Sequence, residues 1–170
     1  MFLPRQRASW LSVSLTALML AACLVPAEHP ILNQFFAASR LRDHTALSAF
    51  ATVVFEPNAH GIVNTFSIIK VTPERREPLT REALATQSVV VNLSVADPRN
   101  PVDVTKYDGD LVSKDVTVDA PVRLPSGQTV QKTLVVTLQR AELKGERSIT
   151  GRWIVTGIKD ASATAATPRS

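Results

Sequence analysis

Cysteine is all but missing: the 170-residue chain holds one, Cys23. That excludes an internal disulfide and removes the thiolate set a structural zinc site needs. Histidine is nearly as scarce. His29, His44 and His60 each stand without a second histidine at i+4, so no metal site is expected. Asp97, Asp103, Asp108, Asp110, Asp115 and Asp119 supply carboxylates but not the dense D-x-D-x-D-G spacing with a closing Glu that holds calcium, and Asp108-Gly109-Asp110 is first a turn former. A glycine-rich phosphate loop, a G-x-S-x-G elbow and a paired Cys and His are all absent, so no cofactor is expected and no enzyme is predicted. Asp43 and His44 are adjacent, which on a helix points them about 100° apart, so they do not form an acid/base pair by themselves.

The chain is also short of unbalanced charge. Its isoelectric point is about 9.6, yet taking Arg5 and Arg7 from the 19 basic residues leaves 17 against 15 acidic ones. No Lys/Arg run is long enough to track a phosphate backbone, which argues against nucleic acid as a partner. What the chain does have is 45% hydrophobic and 20% charged residues, the balance of a globular domain.

Arg5 and Arg7 give the first residues a positive start, and Ala8 to Leu20 forms an apolar stretch too short to span a bilayer, with small residues after it. This is the pattern of an export signal. Leu20-Ala21-Ala22-Cys23 at its end resembles the lipobox of bacterial lipoproteins. That resemblance implies cleavage between Ala22 and Cys23, diacylglycerol and palmitate on the Cys23 terminus, and a membrane partner through the lipid anchor. Leu24, where an inner-membrane retention signal would commonly be Asp, favours the periplasmic side of the outer membrane. An ordinary signal cut near Ala22 or Ala27, or an uncleaved anchor, are the alternatives. The expected organisation is a signal peptide over 1–22, a tether over 23–29, one domain over 30–160 and a disordered tail over 161–170.

In the domain, Ile31, Leu32, Phe35 and Phe36 recur at helical spacing, and Asp43 stands as the N-cap of a second helix carrying Leu47 and Phe50. Pro57, Asn58 and Gly61 mark a turn. Alternation from Ile62 to Thr72 predicts a strand, Pro73 to Pro78 a loop, and Leu84 to Ala96 a second, half-buried strand with Val89, Val91, Leu93 and Val95 on one face. Two alternating runs around Pro125-Ser126-Gly127 predict a hairpin, and Ser148 to Ile158 a last strand with Trp153. Asn92-Leu93-Ser94 fits a glycosylation triplet but lies in the second predicted strand and carries no weight.

Helices followed by about five or six antiparallel strands imply an α+β fold with the helices packed on a curved sheet. Phe35-Phe36-Ala37-Ala38-Ser39, the Asp43-His44-Thr45-Ala46-Leu47 turn, Phe50 and Gly61 to Ile69 are similar to the NTF2-like superfamily of cone-shaped domains. The alternative is a β-sandwich with a helical preface. Trp153, Tyr107, Phe55 and Phe66 are candidates for lining a pocket at the mouth of the cone, with core packing the plainer role for Phe66. The expected function is a membrane-anchored envelope protein acting as a protein-interaction or accessory module, with an envelope protein or a second copy as partner. A carrier of a small apolar ligand is the second reading. An enzyme using Asp43 and His44 inside the pocket, for which the superfamily has precedents, is the third.

Overall fold

The structure, a computed structural model, describes residues 26–97 and 99–161. The expected signal peptide, Cys23 and residues 162–170 of the expected tail lie outside the described residues.

Helix α1 (His29–Leu41) starts with Pro30 in its first turn, where the missing N–H costs nothing, and buries Leu32, Phe35, Phe36 and Ser39 along one stripe. It ends at Arg42, whose left-handed backbone (φ 56°) turns its N–H back onto the Ala38 and Ser39 carbonyls. Asp43 caps α2 (His44–Ser48) by accepting from Ala46 N at 2.9 Å, as its position predicts. Pro57 to His60, expected as a turn, closes into a one-turn helix, α3 (Pro57–His60).

Among the described residues the sheet has seven strands in four lanes. Its centre is a 16-residue pair, β4 (Asp108–Arg123) and β5 (Thr129–Lys144), joined around Pro125-Ser126-Gly127 in unbroken antiparallel register from Asp108↔Lys144 to Arg123↔Thr129. The outer lane beside β4 is a strand in three pieces: β1 (Ile62–Val63), β2 (Ser67–Val71) and β3 (Arg75–Leu79). Pro121 falls between the stretches of β4 that β1 and β2 pair with, so its missing N–H leaves no bond to that lane broken. The lane beside β5 is broken once, into β6 (Ile149–Thr150) and β7 (Ile154–Asp160). This is the α+β architecture of helices on a curved antiparallel sheet.

Two sequence expectations are corrected. Residues 73–78, expected as a loop, largely form β3, where Pro78 is tolerated because the strand is at the sheet's edge. Residues 84–96, expected as a strand, form all but the first turn of helix α4 (Arg81–Val95) and its C-cap, Ala96. Thr80 caps it by accepting from Ala83 N, and Arg81 opens a run of helix formers to Ala85, with Glu82 in the first turn. Burial then follows the helix, not the alternation: Leu84 and Val91, seven residues apart, are buried with Ser94, while Val89 is 64% exposed.

Side-chain parity along β4 and β5 separates two cores. Even-numbered Val116, Val118, Ala120, Val122, Leu134, Val136 and Leu138 pack with Leu32, Phe35, Phe36, Leu47 and Phe55. Odd-numbered Leu111, Ala141 and Leu143 pack with Leu84, Val91 and Val104. Since the register has no shift, α1–α3 cover one face near the hairpin turn and α4 covers the opposite face at the far end. Each face therefore has an apolar half and a polar half, arranged diagonally.

Candidate functional site

The two polar halves differ. Opposite α1–α3, Asp115 and Asp119 accept from the hydroxyls of their cross-strand partners Thr137 and Thr133 at 2.8 and 2.6 Å. Burial pushes the Asp115 carboxyl up, but the Thr137 hydroxyl and the Arg75 guanidinium at 3.1 Å outweigh it and hold it below the usual range. These are cross-strand ladders of a solvated sheet face.

Opposite α4, the polar half is a charge network around Trp153. The Lys114 ammonium sits 4.2 Å from one Trp153 ring centroid and the Arg140 guanidinium 4.5 Å from a Trp153 ring centroid. Lys114 is 7% exposed and pairs at 2.5 Å with Glu28, the residue before α1. Burial raises the Glu28 carboxyl, and the Lys114 bond and charge, helped by a backbone bond, bring it net below its ordinary value. Arg140 reaches Glu142 at 2.7 Å and Glu74 at 3.5 Å, and Arg76 reaches Glu142 at 2.5 Å. Arg76 is the main cause of the lowered Glu142 carboxyl, with Arg140 adding to it. Val112, wholly buried, lies between its cross-strand partners Arg76 and Arg140; long basic stems of this kind shield apolar surface.

A third feature is a cleft of about 490 Å³ where the end of α1, the start of α3 and the β4–β5 turn meet. Arg40, Arg42 and Arg123 line it with Asn58, Ile62 and Pro125, and no carboxylate is among its lining residues. Arg40 donates to Asn64 Oδ1 at 2.9 Å and Arg42 to Asn58 Oδ1 at 2.7 Å. A separate cavity of about 440 Å³ lies between α4 and the 3-10 turn Val104–Lys106, bounded by Leu84, Val102 and Val104 with Ser88 and Asn92.

The residues singled out in the sequence are dispersed. Cys23 and Ala22 lie outside the described residues. Asp43 is spent on its cap, and His44 is exposed. His29 stacks on Phe66 at 4.8 Å, and His60 lies 5.2 Å from Phe55. Phe55 and Phe66 meet Phe36 in the core, at 5.8 and 5.4 Å. Tyr107 lies against Gly145, where a Cβ would come within 2.6 Å of its ring. Asp103 caps the 3-10 turn, its carboxyl held low by Thr105 and Lys106. Among the described residues no group of three or more His, Cys, Asp or Glu is placed to hold a metal ion.

Glu28, Lys114 and Arg140 were missed as a unit. Lys114 left a signal: it occupies the inward parity between Val112 and Val116, where alternation calls for an apolar residue. The arginine cleft left none, because its members come from positions 40, 42 and 123. Comparison with family models, curated proteins and solved structures finds no match for this chain.

Proposed function

We propose that this chain is an exported lipoprotein of the bacterial cell envelope, held by a lipid on Cys23 and acting as a protein-interaction or accessory module rather than as a catalyst. The observation that carries the reading is the Leu20-Ala21-Ala22-Cys23 stretch behind a basic, apolar leader. Glu28, five residues beyond Cys23, is tied to Lys114 in the sheet. Five residues reach at most about 18 Å, so a lipid on Cys23 would hold the Trp153 face close to the bilayer. Outer-membrane placement on the periplasmic side remains part of the proposal, as does kinship to NTF2-like domains, which the two leading helices on one face of a curved sheet support.

The interaction role is supported by β2, which among the described residues pairs only with β4 and leaves Ile69 (55% exposed) and Val71 (37%) uncovered at an open strand edge. An envelope protein adding a strand there is the favoured partner, with a second copy of the chain as the alternative. The cavity beside α4 favours one other reading, a carrier of a small apolar ligand.

Intact mass of the membrane fraction tests the anchor. The expected wild-type product lacks residues 1–22, carries a diacylglyceryl group and sediments with membranes, while Cys23→Ala does none of these. An unmodified, freely soluble wild-type chain sinks the lipoprotein reading. A photo-crosslinking residue at Ile69, compared with one at Ser126 in the hairpin turn, tests the edge. Adducts at position 69 alone are expected, and equal labelling at both positions defeats it.

A further inference from the structure

We infer that the cleft between the end of α1 and the β4–β5 turn is a binding site for a phosphate-type oxyanion, with Arg40, Arg42 and Arg123 as its ligands. The proposal is independent of the lipid anchor and of the β2 edge.

Three observations carry it. First, three guanidinium groups from two distant stretches of chain line one cavity of about 490 Å³, and no carboxylate lines it with them. On the two polar faces of the sheet Arg75, Arg76 and Arg140 each have a carboxylate within 3.5 Å. In the cleft, Arg40 and Arg42 are held instead by the neutral amide oxygens of Asn64 and Asn58. An amide oxygen fixes the plane of a guanidinium without neutralising it, and the remaining N–H groups of the fork stay free for an anion.

Second, Arg42 is the one non-glycine residue with positive φ among the described residues. Glycine or asparagine is the usual occupant of such a helix-ending position, since a larger side chain there is strained. The strain is accepted where the side chain of Arg42 enters the cleft, which points to a use for that side chain beyond closing the helix. Third, Pro57, Ile62, Leu124 and Pro125 wall the cleft. Apolar surface beside the guanidinium groups lowers the local dielectric and strengthens their hold on a bound anion, and the two prolines limit the loops' motion.

Planar forks of this kind match the paired oxygens of phosphate. The ligand class is therefore a phosphate ester, offered either as a soluble metabolite or as the headgroup of a phospholipid. The cleft sits at the far end of α1 from Glu28, about 20 Å along the helix.

The test titrates the full-length chain, purified in a neutral detergent at low salt, with inorganic pyrophosphate and with glycerophosphoglycerol, a deacylated phospholipid headgroup. Saturable binding of at least one probe is expected, weakening as salt is raised. Arg42→Gln and Arg123→Gln should each weaken it about tenfold, with the thermal transition unmoved. Arg42→Lys keeps the charge and loses the fork, so it should fall between wild type and Arg42→Gln. Arg147→Gln, in an exposed turn, is the control. Preference for pyrophosphate assigns the site to soluble phosphates, and preference for the headgroup assigns it to lipid. Binding of neither probe, or binding that survives the Arg42→Gln/Arg123→Gln double variant, overturns the proposal. Should Arg123→Gln fail to fold, Arg40→Gln with Arg42→Gln makes the same test from the helix side.

Discussion

Helices α1 and α4 cover opposite faces of one sheet, and they are fastened by different chemistry. At its start α1 is held by an ion pair, Glu28 to Lys114 at 2.5 Å, with Lys114 over the Trp153 ring. At its end α4 is held by a neutral hydroxyl: Ser94 Oγ accepts from Ala141 N at 2.7 Å and donates to Arg152 O at 3.1 Å. Arg152 answers by donating its backbone N–H to Ser94 O at 2.6 Å and its Nε to Leu93 O at 3.0 Å, satisfying carbonyls that a helix end leaves unpaired. This explains why the outer lane breaks between β6 and β7. It also explains Gly151, where a Cβ would lie 2.3 Å from Ser94 Oγ and 2.6 Å from the Ser94 carbonyl oxygen. The lesson is that a charged fastening answers to pH and salt, while a neutral one answers only to its geometry.

The cores beneath the two helices differ as well. Phe35, Phe36, Phe55 and Phe66 fill the space under α1, whereas aliphatic side chains and Tyr107 fill that under α4. Phe35→Ala should therefore have the largest effect, a loss of about 3–5 kcal/mol read from the urea midpoint, with the whole domain unfolding. Val91→Ala under α4 should cost less, about 1.5–3 kcal/mol. Equal losses for the two would show that the cores carry the fold alike and would end this part of the contrast. Next in size is Ser94→Ala, which strands the Ala141 N–H and should cost about 1–3 kcal/mol. Its expected signature is faster amide exchange confined to α4 and to residues 141–152, with α1 unchanged; exchange that rises equally in α1 would mean the two faces are not independent.

The same contrast explains what could be read before the structure. The stripe of Leu32, Phe35 and Phe36, the Asp43 cap and the long hairpin were legible because local pattern and tertiary burial agree there. α4 was not. Its Val89, Val91, Leu93 and Val95 alternate like a strand, and only the Thr80 cap and the helix formers after it point the other way. Tertiary context decided, since the α4 stretch crosses the far face and reaches Gly151 between β6 and β7. Of the candidate sites, Lys114 was detectable as a charge at an inward position, but its partner Glu28 is 86 residues away in sequence. The cleft arginines are joined only by the fold.

The smallest effect sharpens the contrast most. The Glu28 carboxyl titrates below its ordinary value of 4.5 in the folded protein, so the unfolded chain takes up its proton first as the medium is acidified. The stabilisation from the pair is therefore complete above about pH 4.5 and is lost as pH falls through the lower, folded value. Glu28→Gln removes the charge while keeping a hydrogen-bond acceptor, and should cost about 1 kcal/mol near neutral pH. Below the folded value wild type and variant should converge, because both then lack the carboxylate. Ser94→Ala should show no such convergence: its deficit against wild type stays constant from neutral to acid pH, since no proton is involved. After residue 23 Trp153 is the only tryptophan. Its fluorescence, with Lys114 seated over the ring, follows the α1 fastening directly. A Glu28→Gln deficit that persists unchanged at acid pH, or a Ser94→Ala deficit that disappears there, would break the distinction between a charged and a neutral fastening.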